Sequence, residues 1–314
     1  MKETNKTPVL YIVIPCYNES EVIGETAACT LAVLTGLLAS ERVSPLSRIL
    51  FVDDGSRDDT WAKIRALHAG DRRFSGLKLS RNRGHQTALL AGLIDGAKNA
   101  GVTVSMDADL QDDPAAILEM LGKYEDGAEI VYGVRAERRT DSAFKRVTAE
   151  LYYKFLQKLG GEVVYNHADY RLLGRRALDA LAQYKESSLF LRGIIPMLGY
   201  KAEIVYYDRA ERFAGESKYP LKKMIAFAAD GITSLSAKPL KLIGLVGAVL
   251  LIAGLIAMTA ALISGNALTA LICTVWACSG LILSALGIVG AYVGKMYLET
   301  KRRPRFFVET LLDD

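Results

Sequence analysis

Five short apolar runs separated by helix-length segments mark the first 135 residues. The runs are LYIVIP (10–15), ILFVD (49–53), LKLS (77–80), VTVSMD (102–107) and EIVYGV (129–134). They are rich in β-branched residues and short enough for buried strands. Helical patterning fills about 20–39, 58–69, 84–99 and 113–125. This alternation predicts an α/β fold, a Rossmann-like, mostly parallel sheet with helices on both faces. Ligands bind such sheets beyond the carboxyl ends of the strands, and polar clusters follow three of the runs there: Pro15 to Glu19, Asp53 to Ser56, and MDADLQDDP (106–114).

Further along, the period is helical. Phe144, Val147, Leu151, Phe155 and Leu159 form one apolar stripe, which suits packing on the domain core or lying at an interface. Met224, Ile225, Ala228, Ile232 and Leu235 form another, flanked by lysines, and predict an interfacial helix over 220–238. From Leu242 to Gly294 no Asp, Glu, Lys, Arg or His occurs. As helix this span is roughly 80 Å long, enough for two crossings of a hydrocarbon layer about 30 Å thick. Ser264-Gly265-Asn266 marks the turn, so 242–263 and 268–294 are expected to form a transmembrane hairpin within 239–295. Residues 1–219 then form the catalytic domain and 296–314 a basic cytoplasmic tail.

Composition sharpens the placement. Of the 314 residues 51% are hydrophobic, and the excess sits in that uncharged span. Lys222, Lys223, Lys238 and Lys241 precede it, while Lys295, Lys301, Arg302, Arg303 and Arg305 follow, which predicts that both ends face the cytoplasm. The expected location is the inner (plasma) membrane, multi-pass, with a lipid bilayer as partner. The first residues, MKETNKTPVL, have no apolar stretch of signal-peptide length. A net charge of +4 clustered near the membrane needs no nucleic acid to explain it. The four cysteines lack metal-site spacing with histidine and are expected to be free thiols.

The chemistry centres on MDADLQDDP. In extended chain Asp107 and Asp109 point the same way, with Ala108 turned from them. Two hard oxygen donors suit Mg²⁺ or Mn²⁺, which take few protein ligands and complete their shell with phosphate oxygens and water; Gln111 offers a third ligand. Asp113-Pro114 reads as a helix start, and Asp112 as a solvated loop charge. No G-x-G-x-x-G follows a strand, and GESK (215–218) is not a Walker loop. A diphosphate is therefore expected on a metal, which favours a sugar nucleotide over ATP or NAD.

IPCYNE (14–19), VDDGSRDDT (52–60), SRNRGHQTALLAGL (80–93), MDADLQDDP, DYRLLGRRAL (169–178) and ERFAGESKYPLKKM (211–224) stand in the order found in family-2 glycosyltransferases of GT-A fold. The chain resembles their polyisoprenyl-phosphate, dolichyl-phosphate-mannose-synthase-like branch, and its hairpin with YVGKMYLETKRRPRFFV resembles the bacterial bactoprenol glucosyltransferase subgroup. The resemblance implies inverting transfer of a hexose, glucose before N-acetylglucosamine, from a UDP-sugar to polyprenyl (undecaprenyl) phosphate by a homo-oligomer. It implies that Pro15, Tyr17, Glu19, Asp53, Arg81 and Asp107 line the nucleotide pocket, and that Asp107, Asp109 and Gln111 hold the metal. Asp169 is the matching carboxylate, able to orient the acceptor or act as base. The acceptor phosphate calls for cations and donors, for which Arg135, Arg139, Lys145, Arg171, Arg212, Ser217 and Lys218 are candidates. His85 is not expected to be a catalyst.

Three other functions fit poorly. A processive synthase of the same fold calls for more helices and a Q-x-x-R-W motif, and neither Trp61 nor Trp276 follows an arginine. Two helices without an ionisable residue make a poor transport path, and a scaffold has no use for Asp-x-Asp at a strand end.

Overall fold

The computed structural model describes residues 7–135, 167–186, 190–208 and 267–313, with scattered helical positions between 243 and 263. Four strands, β1 (Leu10–Cys16), β2 (Arg48–Asp53), β3 (Phe74–Leu79) and β4 (Val102–Ser105), form the parallel centre of an eight-stranded sheet. Helices α1 (Ile23–Ala39), α2 (Thr60–Gly70), α3 (His85–Asn99) and α4 (Ala116–Glu125) connect them and lead into β5 (Ile130–Arg135). All five expected strands and four expected helices are present. Beyond them lie β6 (His167–Gly174), α5 (Arg175–Gln183), α6 (Leu191–Met197), β7 (Ala202–Tyr207), α7 (Ala267–Thr300) and β8 (Val308–Leu312). The strand order is β7-β5-β6-β4-β1-β2-β3-β8, with β6 and β8 antiparallel to their neighbours.

Strand alternation sorts the core into two layers. Ile12 and Ile14 of β1 face α1, α2 and α4, packing with Leu34, Leu37, Ile64, Ile117 and Met120. Tyr11 and Val13 face α3, α5 and α6, packing with Leu89, Leu90, Leu178 and Ile194. A Cβ added at Gly92 of α3 would stand 2.4 Å from Val13 Cγ1 and 2.7 Å from Val52 Cγ2. Glycine there lets α3 press onto the central strands, and so sets where its first turn lies at the carboxyl edge.

Three features depart from expectation. β6 enters between β4 and β5, carrying DYR into the sheet interior. The helix expected to end at 294 runs on through Lys295 and Glu299 to Thr300. Its Ala277–Thr300 portion is long and apolar enough to cross a membrane and is not buried against the protein. Span 242–263 and the turn at 264–266 lie largely outside the described residues, so among these one helix, not two, has membrane-crossing length and composition. Residues 308–312, expected in a tail, instead close the sheet beside β3. The interfacial segment 220–238 lies outside the described residues.

Candidate active site

Two of the four described non-glycine residues with positive φ follow parallel strands. Asn18 after β1 and Leu110 after β4 adopt φ of 52° and 55°, left-handed conformations that are costly for residues other than glycine and cluster at functional sites. The β1 loop is tied to the β2 loop: Asn18 N–H donates to Ser56 Oγ at 3.0 Å, Glu19 N–H to Thr60 Oγ1 at 2.9 Å, and Arg57 N–H to Asn18 Oδ1 at 2.9 Å. Asp53 is fully buried; Oδ1 accepts the Ser56 N–H at 3.1 Å, while Oδ2 meets no hydrogen-bond partner among the described residues. Burial raises its pKa above the usual carboxylate value against the pull of Ser56. Pro15 is buried within β1, where it pairs with Val52, and Tyr17 and Glu19 are half-buried just past it. Arg81 is exposed in the loop after β3.

The register of β4 with β6 assembles the centre. Ser105 pairs with Arg171 in antiparallel sense, so two residues further on Asp169 comes level with Asp107. Ser105 Oγ fixes the strand by donating to Asp169 O at 2.6 Å. Around the Asp169 carboxylate three cations converge. Arg192 Nη2 lies 2.9 Å from Oδ2 and Nε 3.2 Å from Oδ1, Arg171 donates to Oδ1, and His85 Nε2 stands 3.6 Å from Oδ2. Gln86 Nε2 adds a bond to Oδ2 at 3.1 Å, and its Oε1 accepts the Leu191 N–H at 3.2 Å, joining α3 to α6. His85 Nε2 is also 3.6 Å from Asp107 Oδ1.

Charge follows from this packing. Burial alone would raise the Asp169 pKa, but Arg192, His85 and Arg171 hold it well below the usual carboxylate range. Burial would lower that of His85, yet Asp169 and Asp107 raise it to about 8. Burial also lowers the Arg171 pKa, opposed chiefly by Asp169. The centre thus pairs a firmly ionised carboxylate with cations, of which Arg192 is 31% exposed and Arg171 not at all.

Several expectations need correction. Arg171, a candidate for the acceptor phosphate, is sealed in the sheet against Asp169, where a ligand outside cannot reach it. Asp112 is not a solvated charge: it is 1% exposed, accepts the Tyr207 hydroxyl, and lies 3.8 Å from Arg135 Nη2. Burial foremost, then Asp107, lifts its pKa to about 6. The helix-start reading of Asp113-Pro114 needs only a shift of boundary: Asp113 Oδ1 accepts the Ala115 N–H at 2.9 Å in the turn that leads into α4 at Ala116. Arg135, the acceptor candidate among the described residues that is not sealed in, is a quarter exposed beside Tyr207 and Asp112. Arg139, Lys145, Arg212, Ser217 and Lys218 lie outside the described residues. His85, not expected to be a catalyst, stands between Asp107 and Asp169; Arg192 escaped the sequence reading, its signal being a lone cation in the apolar run FLRGIIPML.

The donor set at β4 suits a hard divalent ion. Asp107 and Asp109 are partly exposed, and the Gln111 N–H donates to Asp109 Oδ1 at 3.2 Å, bracing the loop. Among the described residues no group of three or more His, Cys, Asp or Glu could hold a metal. Two carboxylates match an ion that draws its remaining ligands from a diphosphate and water.

The Glycosyl transferase family 2 model matches residues 11–182. The chain belongs to that family. The match spans β1 to α5, and so includes Asp53, Asp107, Asp109 and Asp169 but not Arg192. Relatives extend over nearly the whole chain. The glycosyltransferase YkoT of Bacillus subtilis is 46% identical over 96% of this chain and 91% of its own length. A prophage bactoprenol glucosyl transferase homolog of Escherichia coli is 35% identical, covering 95% and 97%. The bactoprenol glucosyl transferase of Shigella phage SfX is 33% identical, covering 95% and 98%. In this family-2 glycosyltransferase of GT-A fold, the candidate site lies at the carboxyl edge of β1, β2 and β4, beside β6, α3 and α6.

Proposed function

We propose that this glycosyltransferase transfers glucose from UDP-glucose to a polyprenyl phosphate such as undecaprenyl phosphate, with inversion. The similarity to proteins named bactoprenol glucosyl transferase over 95% of the chain carries this proposal. The catalytic domain is cytoplasmic and anchored by α7 together with the uncharged 242–263 segment as a second pass.

Asp107 and Asp109, with Gln111 beside them, would hold Mg²⁺ or Mn²⁺. When bound, such an ion neutralises charge on the departing diphosphate. The chain's own part is to place fixed charge. Arg192, braced from behind by Asp169, offers its exposed edge to donor phosphates, and His85 adds a second positive group at neutral pH. Asp169, whose carboxyl these cations hold well below the usual carboxylate range, is assigned to holding them in place. No general base is needed: an oxygen of the acceptor phosphate dianion attacks the anomeric carbon, the bond to UDP breaks, and UDP leaves with the electron pair. No proton moves. Arg135, Arg139, Lys145, Arg212, Ser217 and Lys218 are assigned to the acceptor phosphate, Pro15, Tyr17, Glu19, Asp53 and Arg81 to the nucleotide.

The test uses purified protein in detergent with undecaprenyl phosphate, Mn²⁺ and a panel of UDP- and GDP-sugars, with lipid products identified by mass. A single hexose from UDP-glucose, lost with EDTA, is the expected result. Metal-dependent UDP binding without product from any donor would overturn the lipid acceptor.

A further inference from the structure

The residues after α7 return to the catalytic sheet. Arg83 Nε donates to Arg305 O at 2.7 Å and Nη2 to Pro304 O at 3.3 Å. Ser80 N–H donates to Phe307 O at 3.0 Å, β8 then pairs with β3 as far as Leu312, and Lys78 Nζ meets Glu309 Oε1 at 2.9 Å. On its other side the Arg305 guanidinium donates to the Tyr184 carbonyl just past α5. Residues 304–312 therefore form a strap across β3, the 80–84 loop and the end of α5.

The loop under the strap delivers the first turn of α3. Asp54, buried after β2, accepts the Arg83 N–H at 2.7 Å on one oxygen and the Gly84 N–H at 2.8 Å on the other. Gly55 has φ +69°, and a Cβ there would stand 2.7 Å from the Arg81 carbonyl carbon. The β2 turn and the loop thus meet backbone to backbone. Arg83 is held from beneath through its N–H and from outside through its side chain. The next two residues are His85 and Gln86, both of which reach Asp169.

We propose that Arg83 is a positioning residue for glycosyl transfer: clasped by the Pro304 and Arg305 carbonyls, it fixes the start of α3 and hence His85 and Gln86 against Asp169. Only the Pro304–Arg305 end of the strap is then tied to the catalytic centre; Glu309 lies beyond it. That end is also joined to the membrane-length helix by only the few residues between Thr300 and Pro304. The inference rests on the sugar-transfer reading for its kinetic consequence, and on geometry alone for the clasp.

The test compares full-length wild type with Arg83→Ala, Arg83→Lys and Glu309→Ala, the last removing only an exposed ion pair further along the strap. Hydrogen exchange by mass spectrometry reads the clasp; turnover of UDP-glucose reads its consequence; melting temperature reads the global fold. In Arg83→Ala, exchange should quicken over 80–87 and 304–308. There kcat should fall about tenfold or more with donor KM within about threefold, since small misplacements near reacting groups cost rate before affinity. Arg83→Lys keeps the charge but not the paired donors, and should be intermediate; Glu309→Ala should match wild type in kcat. Unchanged exchange over 80–87 in both Arg83 variants overturns the clasp. Wild-type kcat in them, or equal losses in all three variants tracking melting temperature, overturns the positioning role. Should Arg83→Ala not fold, Arg83→Lys alone decides by the same criteria. If wild type itself transfers no sugar, the sugar-transfer reading fails, while exchange still decides the clasp.

Discussion

Arg192 holds Asp169 with two nitrogens, Nη2 2.9 Å from Oδ2 and Nε 3.2 Å from Oδ1. This grip fixes the direction of a planar guanidinium that is 31% exposed, as a preorganised donor must be. Replacing Arg192 by Ala should lower kcat/KM about 10²-fold or more, the cost typical of a lost transition-state donor. Arg192→Lys keeps the charge and loses the fork, so it should recover only part. Steady-state kinetics with UDP-glucose checks this; wild-type kcat/KM in Arg192→Ala would remove the residue from the site.

Asp169 also neutralises a buried cation. Arg171 has no exposed surface, so Asp169→Asn leaves its charge without the paired carboxylate. Breaking a buried pair from one side costs about 3–5 kcal/mol, and the variant should melt well below wild type. Combining Asp169→Asn with Arg171→Met should recover part of the loss while activity stays low. Such recovery would separate the structural task of Asp169 from its placement of Arg192 and His85.

The two halves of this centre differed in legibility. β1 to β5 announce themselves through apolar runs, because strands buried on both faces cannot carry charge without partners. MDADLQDDP is visible since four carboxylates in one loop demand an explanation. β6 hides because its charges pair within the strand, Asp169 with Arg171, and the further partners of Asp169 on α3 and α6 come from distant sequence. The mistaken assignment of Arg171 to the acceptor has the same origin, for an arginine's burial depends on register and not on its neighbours in the chain. β8 was obscured by its exposed edge position and by the basic residues just before it.

His85 gives the centre a pH dependence. Its pKa is raised from an ordinary value near 6.5 to about 8 in the folded protein. Folding therefore favours the protonated ring, a contribution fully present below about 6.5 and lost as pH rises through about 8. In metal-free protein, the melting temperature of wild type minus that of His85→Gln should be largest near pH 6 and shrink toward zero by about pH 9. A difference that grows with pH would mean that the ring is neutral when folded.

The four carboxylates of MDADLQDDP should separate by experiment into three kinds. Asp107 and Asp109 are partly exposed at the sheet edge, and either replaced by Ala should abolish metal-dependent UDP binding while changing the melting temperature little. Asp113 is exposed and bonds locally to the Ala115 N–H, so Asp113→Ala should keep both metal dependence and turnover, losing at most about 1 kcal/mol of stability. Asp112 is buried between Tyr207 and Arg135, and Asp112→Ala strands the Tyr207 hydroxyl, a loss of about 1–3 kcal/mol. Calorimetric UDP titration with and without Mn²⁺, beside a thermal melt of each variant, distinguishes the three. If Asp112→Ala lost metal-dependent binding at wild-type stability, the ion would sit deeper than Asp107 and Asp109, and the assignment of that pair would fail.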